Sequence, residues 1–456
     1  MQIRGMLTEQ ELAAEIESGA IDTVIVASCD MQGRLIGKRV SGWYFLEHAR
    51  NHGTHFCTYL LGTDIELETP KGYELMTWES GYGDYLSRPD WGTARRIPWL
   101  PGSALILADV VDEATGEEIP VSPRTLLKQQ VERCRAMGFE PKMASELEFY
   151  LFDESFRAVK EKDYRNFVLG GDFNEDYQLF QGTKYEPFYR LLRTQLNEAG
   201  VPIEFSKGEA AVAQHEINIH YGNALDAADR TVLLKHGIKE MAVQQGLAVT
   251  FMAKPDASWT GSSGHVHCSL AAPETGANLF ANDAGEMSVL MRWFLGGLLE
   301  GTRALSLLTA PNINSYKRFA SSSWAPVHLV WSRDNRTCGF RIVGNGASIR
   351  IENRFPGSDS NPYLVYAAML AMGMYGIEKQ IDPGEPFVGN GYLASGFPRV
   401  PGSMVDAIAA WEGSHLPELL FGRTVAHHYL HTARLEQEAF DQAVTDWERR
   451  RYFERG

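Results

Sequence analysis

Apolar and charged residues alternate along four short runs between residues 145 and 355. The runs are Glu146-Leu-Glu148, Glu209 with Gln214-His-Glu216, His265-Val-His267, and Arg350-Ile-Glu352-Asn-Arg354. Each lies in a stretch rich in Ile, Val, Phe or Leu, which favours a strand over a helix. Because residues two apart on a strand share a face, the pattern predicts that the charged side chains of each run point the same way.

The first quarter of the chain predicts a small sheet domain. A short amphipathic helix is predicted over 8–18, and the sequence up to Val111 consists mostly of short apolar runs separated by Gly and Pro turns. The polar stretch 112–121 has the composition of a linker. We therefore predict an N-terminal domain over residues 1–115 and a larger domain over 116–456.

Helical periodicity alternates with strand patterns in the larger domain. Ser122 followed by Pro123 is typical of a helix start. Helices are predicted over 123–137, 186–198, 224–246, 287–307, 362–378 and 417–453. The alternation predicts a mixed α+β fold.

Composition narrows the class of protein. The 456 residues are 44% hydrophobic and 22% charged, and the net charge of −15 argues against nucleic acid as the main partner. The five cysteines are scattered without a CxxC pair, which argues against a disulfide framework or a zinc ribbon. The amino terminus is polar, and no apolar run approaches the roughly 20 residues that span a bilayer. We expect a soluble, cytoplasmic enzyme that acts on small molecules, not on nucleic acid or membranes.

The charged runs predict a cation site. A face that holds five carboxylates, two imidazoles and several guanidiniums cannot be a dry core, because unpaired charges are too costly to bury. Mg²⁺ and Mn²⁺ prefer carboxylate oxygens, and Mn²⁺ also accepts imidazole. Two three-ligand sites could be drawn from Glu146, Glu148, Glu209, Glu216, His265 and Glu352. Two cations among phosphate-binding arginines indicate a nucleoside triphosphate and phosphoryl transfer; the arginines are Arg336, Arg341, Arg350 and Arg354.

Each motif alone has a plainer explanation. Glu-x-Glu is common on solvated strands, and an isolated His-x-His pair is more often polar surface than a ligand. His427 and His431 have metal-like spacing, but no third ligand is near them in sequence, which favours a solvated helix face. The concentration of four motifs in one region is what favours the metal site.

Six motifs, taken in order, resemble the glutamine synthetase family in its type I bacterial branch. They are ASELEFYLF at 144–152, Glu209 with QHEIN at 214–218, GSSGHVH at 261–267, PNINSYKR at 311–318, NRTCGFR at 335–341 and IENRFP at 351–356. The resemblance spans nearly the whole chain.

The resemblance implies a role for each motif residue. One metal site, on the side of the glutamate substrate, would be held by Glu148, Glu209 and Glu216. The other, on the side of the ATP phosphates, would be held by Glu146, His265 and Glu352. Glutamate would be bound by Arg318 and Arg354 beside Gly261. The nucleotide would be lined by His267, Ser269, Arg336, Arg341 and Arg350, with Arg318 and Arg336 acting in catalysis.

The resemblance also implies the architecture and the chemistry. We expect an N-terminal β-grasp domain and a catalytic domain whose antiparallel sheet lines a funnel with two or more Mg²⁺ or Mn²⁺ ions. The subunits would form hexameric rings, usually stacked as dodecamers, with the active site between one catalytic domain and the neighbour's N-terminal domain. ATP would phosphorylate the γ-carboxylate of glutamate, and an amine would then displace phosphate to give an amide.

Two departures from the family bear on the amine. Ammonium-using members carry a glutamate just before Ala-Pro in the loop after the arginine signature, and Trp324 stands there in this chain. Indole cannot accept a proton, but it can pack against an alkyl group or face a cation. The N-terminal Asp-Gly-Ser-Ser signature is also missing, with Gly62-Thr-Asp-Ile-Glu66 near its expected place. Both losses predict an organic amine as the substrate.

We therefore predict a γ-glutamylamide synthetase, most similar to the γ-glutamylethanolamide synthetase group, in amine catabolism or detoxification. The alternatives are a γ-glutamylpolyamine synthetase, an ammonium-using glutamine synthetase and a catalytically silent scaffold on the same fold. The sequence leaves open the physiological amine, the group that deprotonates it, the choice between hexamer and dodecamer, and the choice between Mg²⁺ and Mn²⁺.

Overall fold

The computed structural model describes residues 3–320 and 323–456 and shows two sheets with helices packed against them. This confirms the predicted mixed α+β fold. Ser321 and Ser322, in the loop that carries Trp324, lie outside the described residues. The division of the chain at residues 115 and 116 remains a prediction.

The N-terminal sheet has six strands in the order β2–β1–β6–β4–β3, with β5 paired to β6. Strand β1 runs parallel to β6, and the other pairings are antiparallel. The strands are β1 (Thr23–Cys29), β2 (Leu35–Ser41), β3 (Thr54–Cys57), β4 (Asp84–Pro89), β5 (Arg95–Arg96) and β6 (Ser103–Val111). The apolar β6 is central because it is buried along almost its whole length.

The second sheet has nine strands in the order β13–β14–β15–β12–β7–β9–β8, with β10 and β11 paired to β7. Only the β13–β14 pairing is parallel among the pairings described. The strands are β7 (Glu140–Phe152), β8 (Ile203–Gly208), β9 (Gln214–Ile219), β10 (Gly222–Asn223), β11 (Ala248–Thr250), β12 (Gly264–Ala271), β13 (Trp331–Arg333), β14 (Phe340–Val343) and β15 (Arg350–Asn353). The antiparallel arrangement predicted for the charged runs is therefore confirmed.

Several helices contact strands of this second sheet. The helices of the described residues are α1 (Glu9–Glu17), α2 (Gly42–Tyr44), α3 (Arg50–His52), α4 (Pro123–Ala136), α5 (Phe156–Glu161), α6 (Leu179–Thr183), α7 (Glu186–Glu198), α8 (Ala224–Gln244), α9 (Val289–Gly301), α10 (Ser306–Thr309), α11 (Ile313–Tyr316), α12 (Pro362–Lys379), α13 (Met404–Glu412), α14 (Leu416–Phe421), α15 (Arg423–Gln442) and α16 (Asp446–Tyr452). A π-helical turn, Phe45–Ala49, joins α2 to α3.

The apolar helix α12 is the centre of the largest core, where it packs against α9 and α4. Helices α9 and α12 touch through glycines: a Cβ on Gly297 would stand 2.1 Å from the carbonyl oxygen of Met372, and one on Gly376 would stand 2.2 Å from that of Trp293. Only glycine permits this approach of two backbones. The core holds the sheet rigidly from behind, so that its other face can carry charged groups.

Two helix predictions were too long. The segment predicted as one helix over 287–307 is α9 followed by the separate short α10. The segment 417–453 is divided into α14, α15 and α16: Gly422, at φ 81°, separates the first two, and Thr445 caps the third. No helix in the described part of the chain combines the length and apolar character that a membrane crossing requires.

Candidate active site

Cross-strand register places the charged runs on one face of the nine-stranded sheet. Directly opposed residues form three rows: Lys207–Glu216–Glu148, Asn218–Glu146–His265, and Arg341–Glu352–His267. Residues directly opposite each other, and residues two apart on one strand, share a face, so the three rows form one continuous charged surface. The structure thus brings charged residues of all four runs to this part of the sheet.

The first cluster consists of Glu148, Glu209 and Glu216, which each offer an oxygen within 4.8 Å of the other two. Glu209 lies just beyond the end of β8, where its backbone N–H donates to the carbonyl of Gln214. Burial and the charge of Glu209 raise the pKa of Glu148 to about 8. Burial and the charges of Glu146 and Glu209 raise the pKa of Glu216 to about 10. The cluster thus holds more negative charge than its surroundings offset.

Glu148 is oriented by hydrogen bonds from behind. Its Oε2 accepts from the backbone N–H of Ser263 at 2.7 Å and from Nε2 of Gln214 at 3.1 Å. Gln214 also donates to the carbonyl of Gly261 at 3.0 Å, which ties the strand to the Gly261 loop. Gln214 is therefore a positioning residue whose role the sequence motif alone did not reveal.

The second cluster consists of Glu146, His267 and Glu352, whose ligand atoms also lie within 4.8 Å of one another. His265 lies beside it, with Nδ1 at 3.4 Å from Glu146 and 3.5 Å from Glu352. The resemblance assigned His265 to the metal and His267 to the nucleotide, whereas the structure brings both to the same two carboxylates. The three-residue group whose ligand atoms all lie within 4.8 Å of one another contains His267 together with the two carboxylates.

Neighbouring groups lower the pKa of the central carboxylate of the second cluster. Although burial opposes the shift, chiefly the charge of Arg354 lowers the pKa of Glu352 to about 2. Burial and the charge of Arg354 lower the pKa of His265 to about 4, so its imidazole is neutral at pH 7. The Nε2 atom of His265 is buried without a hydrogen-bond partner among the described residues. A neutral imidazole with a free nitrogen beside two carboxylates is a donor set that fits a divalent cation.

The buried guanidiniums of Arg318 and Arg354 lie between the two clusters and the loops around them. Arg318 donates to the carbonyls of Phe355 at 2.7 Å and Arg354 at 3.0 Å, and to Oγ of Ser263 at 2.9 Å. Arg354 forms an ion pair with Glu352. The Nε atoms of both arginines are buried without a partner among the described residues, so each keeps one donor for a bound anion.

Gly261 packs directly on Arg318. A Cβ at this position would stand 2.7 Å from Cγ of Arg318 and 2.9 Å from the carbonyl oxygen of Ala253. The position therefore requires glycine on steric grounds.

The residues predicted for the nucleotide lie at the other end of the charged face. Arg341 forms ion pairs with Glu352, at 2.9 Å, and with Asp334. Arg350 donates to Nδ1 of His267 at 3.1 Å, which links it to the second cluster. Ser269 follows on the same face of β12, and Arg336 is exposed near Asp334. The structure thus brings Arg350 into contact with His267 and Arg341 into contact with Glu352, and it leaves Arg336 exposed.

Trp324 has 55% of its surface exposed and a left-handed φ of 62°. Tyr392 was not anticipated from the sequence, because no motif surrounds it. The hydroxyl of Tyr392 is buried without a hydrogen-bond partner among the described residues. Burial raises the pKa of Tyr392, and the nearby Arg354 and Arg318 partly oppose this shift.

Lys207 is the second residue that the sequence analysis missed. It pairs with Glu209, two positions away, so the same two-residue spacing that singled out the other runs would have identified it. His427 and His431, by contrast, belong to no three-ligand cluster within residues 3–320 and 323–456.

Comparisons with known proteins agree with this geometry. Residues 120–452 match the family described as glutamine synthetase, catalytic domain. The chain is 44% identical over 446 residues to a γ-glutamylethanolamide synthetase of Streptomyces coelicolor, covering 98% of this chain and 96% of that protein. It is 36% identical over 444 residues to a glutamate–isopropylamine ligase of a Pseudomonas species, covering 96% of each.

The fold also matches a solved structure over nearly its whole length. The ADP complex of GmaS superposes with a TM-score of 0.83 at 27% identity, covering 97% of this chain and 99% of the GmaS chain. With the family match across more than two thirds of the chain and relatives above 30% identity along nearly all of it, the chain belongs to the glutamine synthetase family.

Proposed function

We propose that this protein is an ATP-dependent ligase that joins the γ-carboxylate of L-glutamate to a small organic primary amine. The observation that carries the proposal is an exposed Trp324, where ammonium-using members carry a glutamate, in a chain whose two carboxylate clusters are complete. Two relatives along nearly the full chain bear names that specify an ethanolamide product in one case and an isopropylamine substrate in the other. An ethanolamine-like amine is the substrate class that fits best.

Members of the family use ATP and divalent metal ions. Here two Mg²⁺ or Mn²⁺ ions would be held by Glu148, Glu209 and Glu216, and by Glu146, Glu352 and one or both of His265 and His267. The raised pKa values of Glu148 and Glu216 support this assignment, because carboxylates that repel one another gain most from a bound cation. When bound, such ions would neutralise phosphate oxygens and orient the reacting groups.

The chain's own residues would then bind and position the substrates. Arg354 and Arg318 would hold the carboxylates of glutamate beside Gly261, and Arg341 and Arg350 would hold the phosphates of ATP, because a guanidinium fork matches both groups. Ser269 and Arg336 would line the nucleotide further out, with Arg336 also stabilising the transferred phosphoryl group.

The reaction would proceed in two balanced steps. An oxygen of the γ-carboxylate attacks the γ-phosphorus of ATP, ADP leaves, and γ-glutamyl phosphate forms. The amine nitrogen then attacks the acyl carbon, the carbon–oxygen bond to phosphate breaks, and the nitrogen loses a proton. Arg318 and Arg336 would stabilise the charge that develops on the phosphate in both steps.

Trp324 would select the amine. Its half-exposed indole offers a flat apolar surface for an alkyl chain and a π-face for an ammonium group, and the loop 318–326 supplies no carboxylate to bind ammonium itself. An organic amine therefore gains contact area that ammonium cannot use.

We further propose that the enzyme acts in the cytoplasm and assembles as hexameric rings, stacked as dodecamers. All five cysteines are free, and four of them are buried, as suits a reducing compartment. Mass photometry of the purified protein tests the assembly: a peak near six or twelve subunit masses supports it, and a monomer contradicts it.

Phosphate release with ATP, Mg²⁺ and glutamate tests the function. The assay compares ammonium, methylamine, ethanolamine, isopropylamine, putrescine and spermine, with product masses checked. Turnover with a small organic amine well above that with ammonium supports the proposal. Ammonium as the best substrate would make the protein a glutamine synthetase, spermine or putrescine would make it a polyamine ligase, and silence with every amine would favour a scaffold.

A further inference from the structure

Lys207 lies against the first cluster, on β8 directly opposite Glu216. Its ammonium forms an ion pair with Glu209 and stands 4.5 Å from the centre of the Tyr177 ring. The side chain is only 16% exposed. The ammonium therefore has three neighbours: two carboxylates of the cluster and one aromatic face.

The position of Lys207 brings its ammonium to the carboxylates of the first cluster. The side chain shares the sheet face of Glu216 and pairs with Glu209, and a lysine side chain carries a positive charge near neutral pH. Among the ion pairs of the described residues, it provides the one cation bound directly to a member of the first cluster.

The carboxylates of the second cluster have no lysine ammonium paired with them among the described residues. The cations of this cluster are Arg341 and Arg354, which pair with Glu352 from the rim of the cluster and belong to the proposed substrate-binding arginines. Lys207 differs because it is paired with Glu209 and opposes Glu216, two of the three carboxylates that a divalent cation would need.

We propose that Lys207 is a built-in counter-cation that competes with the divalent metal ion for Glu209 and Glu216. A +1 and a +2 charge repel strongly at contact distances, so binding of the metal ion requires the ammonium to give up the carboxylates. The ring of Tyr177, which the ammonium already faces, is the contact that it can keep. Lys207 thereby lowers the metal affinity of the first cluster and stabilises it when no metal ion is bound.

This inference rests on the proposed assignment of the metal sites, and direct metal binding tests it without turnover. The measurement is calorimetric titration of Mn²⁺ into metal-stripped protein. Lys207→Met should bind Mn²⁺ about tenfold more tightly, or more, at one of two sites, because the repulsion is removed. Lys207→Arg keeps the charge and should stay within about threefold of the wild type.

Two controls assign the effect to the first cluster. Lys142→Met removes an ammonium from the same face of β7, outside both clusters, and should leave Mn²⁺ affinity unchanged. In the Glu216→Gln background, which removes a ligand of the first cluster, Lys207→Met should no longer tighten binding.

The ring of Tyr177 provides a test in the opposite direction. Tyr177→Leu removes the aromatic face on which the displaced ammonium remains, so Mn²⁺ should bind about two- to fivefold more weakly. Tyr177 is two-thirds exposed, and Tyr164→Leu, at an equally exposed tyrosine of the same segment, should have no effect. Tyr177→Leu also keeps the inference testable if Lys207→Met does not fold.

Equal or weaker Mn²⁺ binding by Lys207→Met would overturn the inference, because Lys207 would then be holding Glu209 in place as a ligand. Absence of Mn²⁺ binding to the wild-type protein would overturn it together with the metal assignment. Normal Mn²⁺ binding with the predicted variant pattern, but no turnover with any amine, would leave the inference standing and refute the proposed ligase activity.

Discussion

The two carboxylate clusters stand on one face of one sheet yet have opposite electrostatics. In the first, burial and mutual repulsion raise the pKa values of Glu148 and Glu216 to about 8 and 10. In the second, chiefly the charge of Arg354 lowers the pKa of Glu352 to about 2 despite complete burial. The difference arises from the neighbouring strands, because β14 and β15 bring arginines to the second cluster and β8 brings only Lys207 to the first.

From this difference we infer that the first cluster, and not the second, depends on a metal ion for its charge balance. The second cluster is largely neutralised by protein cations and is ionised without metal. The first holds protons in the metal-free protein and is expected to exchange them for a divalent cation, since a ligand carboxylate must be deprotonated. Metal binding and proton release should therefore be coupled mainly at the first cluster.

The largest effect should come from removing one carboxylate of each cluster. Glu352→Gln leaves Arg341 and the buried Arg354 without their partner, which should cost about 3–5 kcal/mol of unfolding free energy. Glu216→Gln replaces a carboxyl that is protonated in the metal-free protein by a neutral group of the same shape, so its cost should stay below about 1 kcal/mol. Urea denaturation of the metal-stripped proteins at pH 7 compares them.

Both substitutions should nevertheless lower kcat by about a hundredfold or more, because each removes a proposed metal ligand. Equal losses of stability in the two variants would contradict the electrostatic contrast. Full activity in either would contradict its assignment as a ligand.

The pH dependence of stability should be the next largest effect. Glu148 has a folded pKa of about 8 against an ordinary value of 4.5, so its contribution is fully present below pH 4.5 and is lost as pH rises through 8. The melting temperature of metal-stripped protein should therefore fall between pH 6 and 9, and saturating Mn²⁺ should remove the fall. Glu352 has the opposite sign, with stability lost as pH falls from 4.5 towards 2. A flat metal-free profile from pH 6 to 9 would be inconsistent with this account.

An intermediate effect is expected at the amine site. Trp324→Glu removes the indole face and adds a carboxylate, so KM for ethanolamine should rise about tenfold and the preference over ammonium should shrink by as much or more. Trp43→Glu, at an equally exposed tryptophan in the N-terminal part, is the matched control and should leave both values unchanged. Steady-state kinetics with both amines checks this. An unchanged ratio would remove Trp324 from the amine site.

The smallest effect should come from Tyr392→Phe, a change close to Arg318 and Arg354. Loss of the hydroxyl near Arg318 and Arg354 should raise KM for glutamate about three- to tenfold, the value of one hydrogen bond. Stability should not fall, because the hydroxyl is buried without a partner among the described residues. Tyr85→Phe, at another buried tyrosine, controls for packing. A loss of stability with normal KM would assign Tyr392 a purely structural role.

Much of the site could be predicted because strand alternation is local. Glu146 and Glu148 share a face, as do Glu352 and Arg354, because of a two-residue period, whereas the order of the strands in the sheet came from the structure. The relative position of His265 and His267 could not be predicted in this way, because it depends on the register of β12 against both β7 and β15. Both histidines share a face, and only that register sets which one meets Glu352.

The features that were missed depend on tertiary contacts. Tyr392 reaches the site from a short 3₁₀ turn far along the chain, so no local pattern marks it. The helix expected over 287–307 ends at Gly301 although the apolar pattern continues into α10, so the pattern alone does not mark the break. The charge balance of each cluster could not be predicted either, because it depends on which carboxylates pair with Lys207, Arg341 and Arg354.

The proposed ligation through γ-glutamyl phosphate is tested most directly with glutamate labelled with ¹⁸O in its γ-carboxylate. The enzyme receives this glutamate together with ATP, Mg²⁺ and equal concentrations of ammonium and ethanolamine, and mass spectrometry measures the amide products and the released phosphate. We predict that γ-glutamylethanolamide exceeds glutamine and that the released phosphate carries one ¹⁸O atom from the carboxylate. Glutamine as the main product, or phosphate without label, would contradict it.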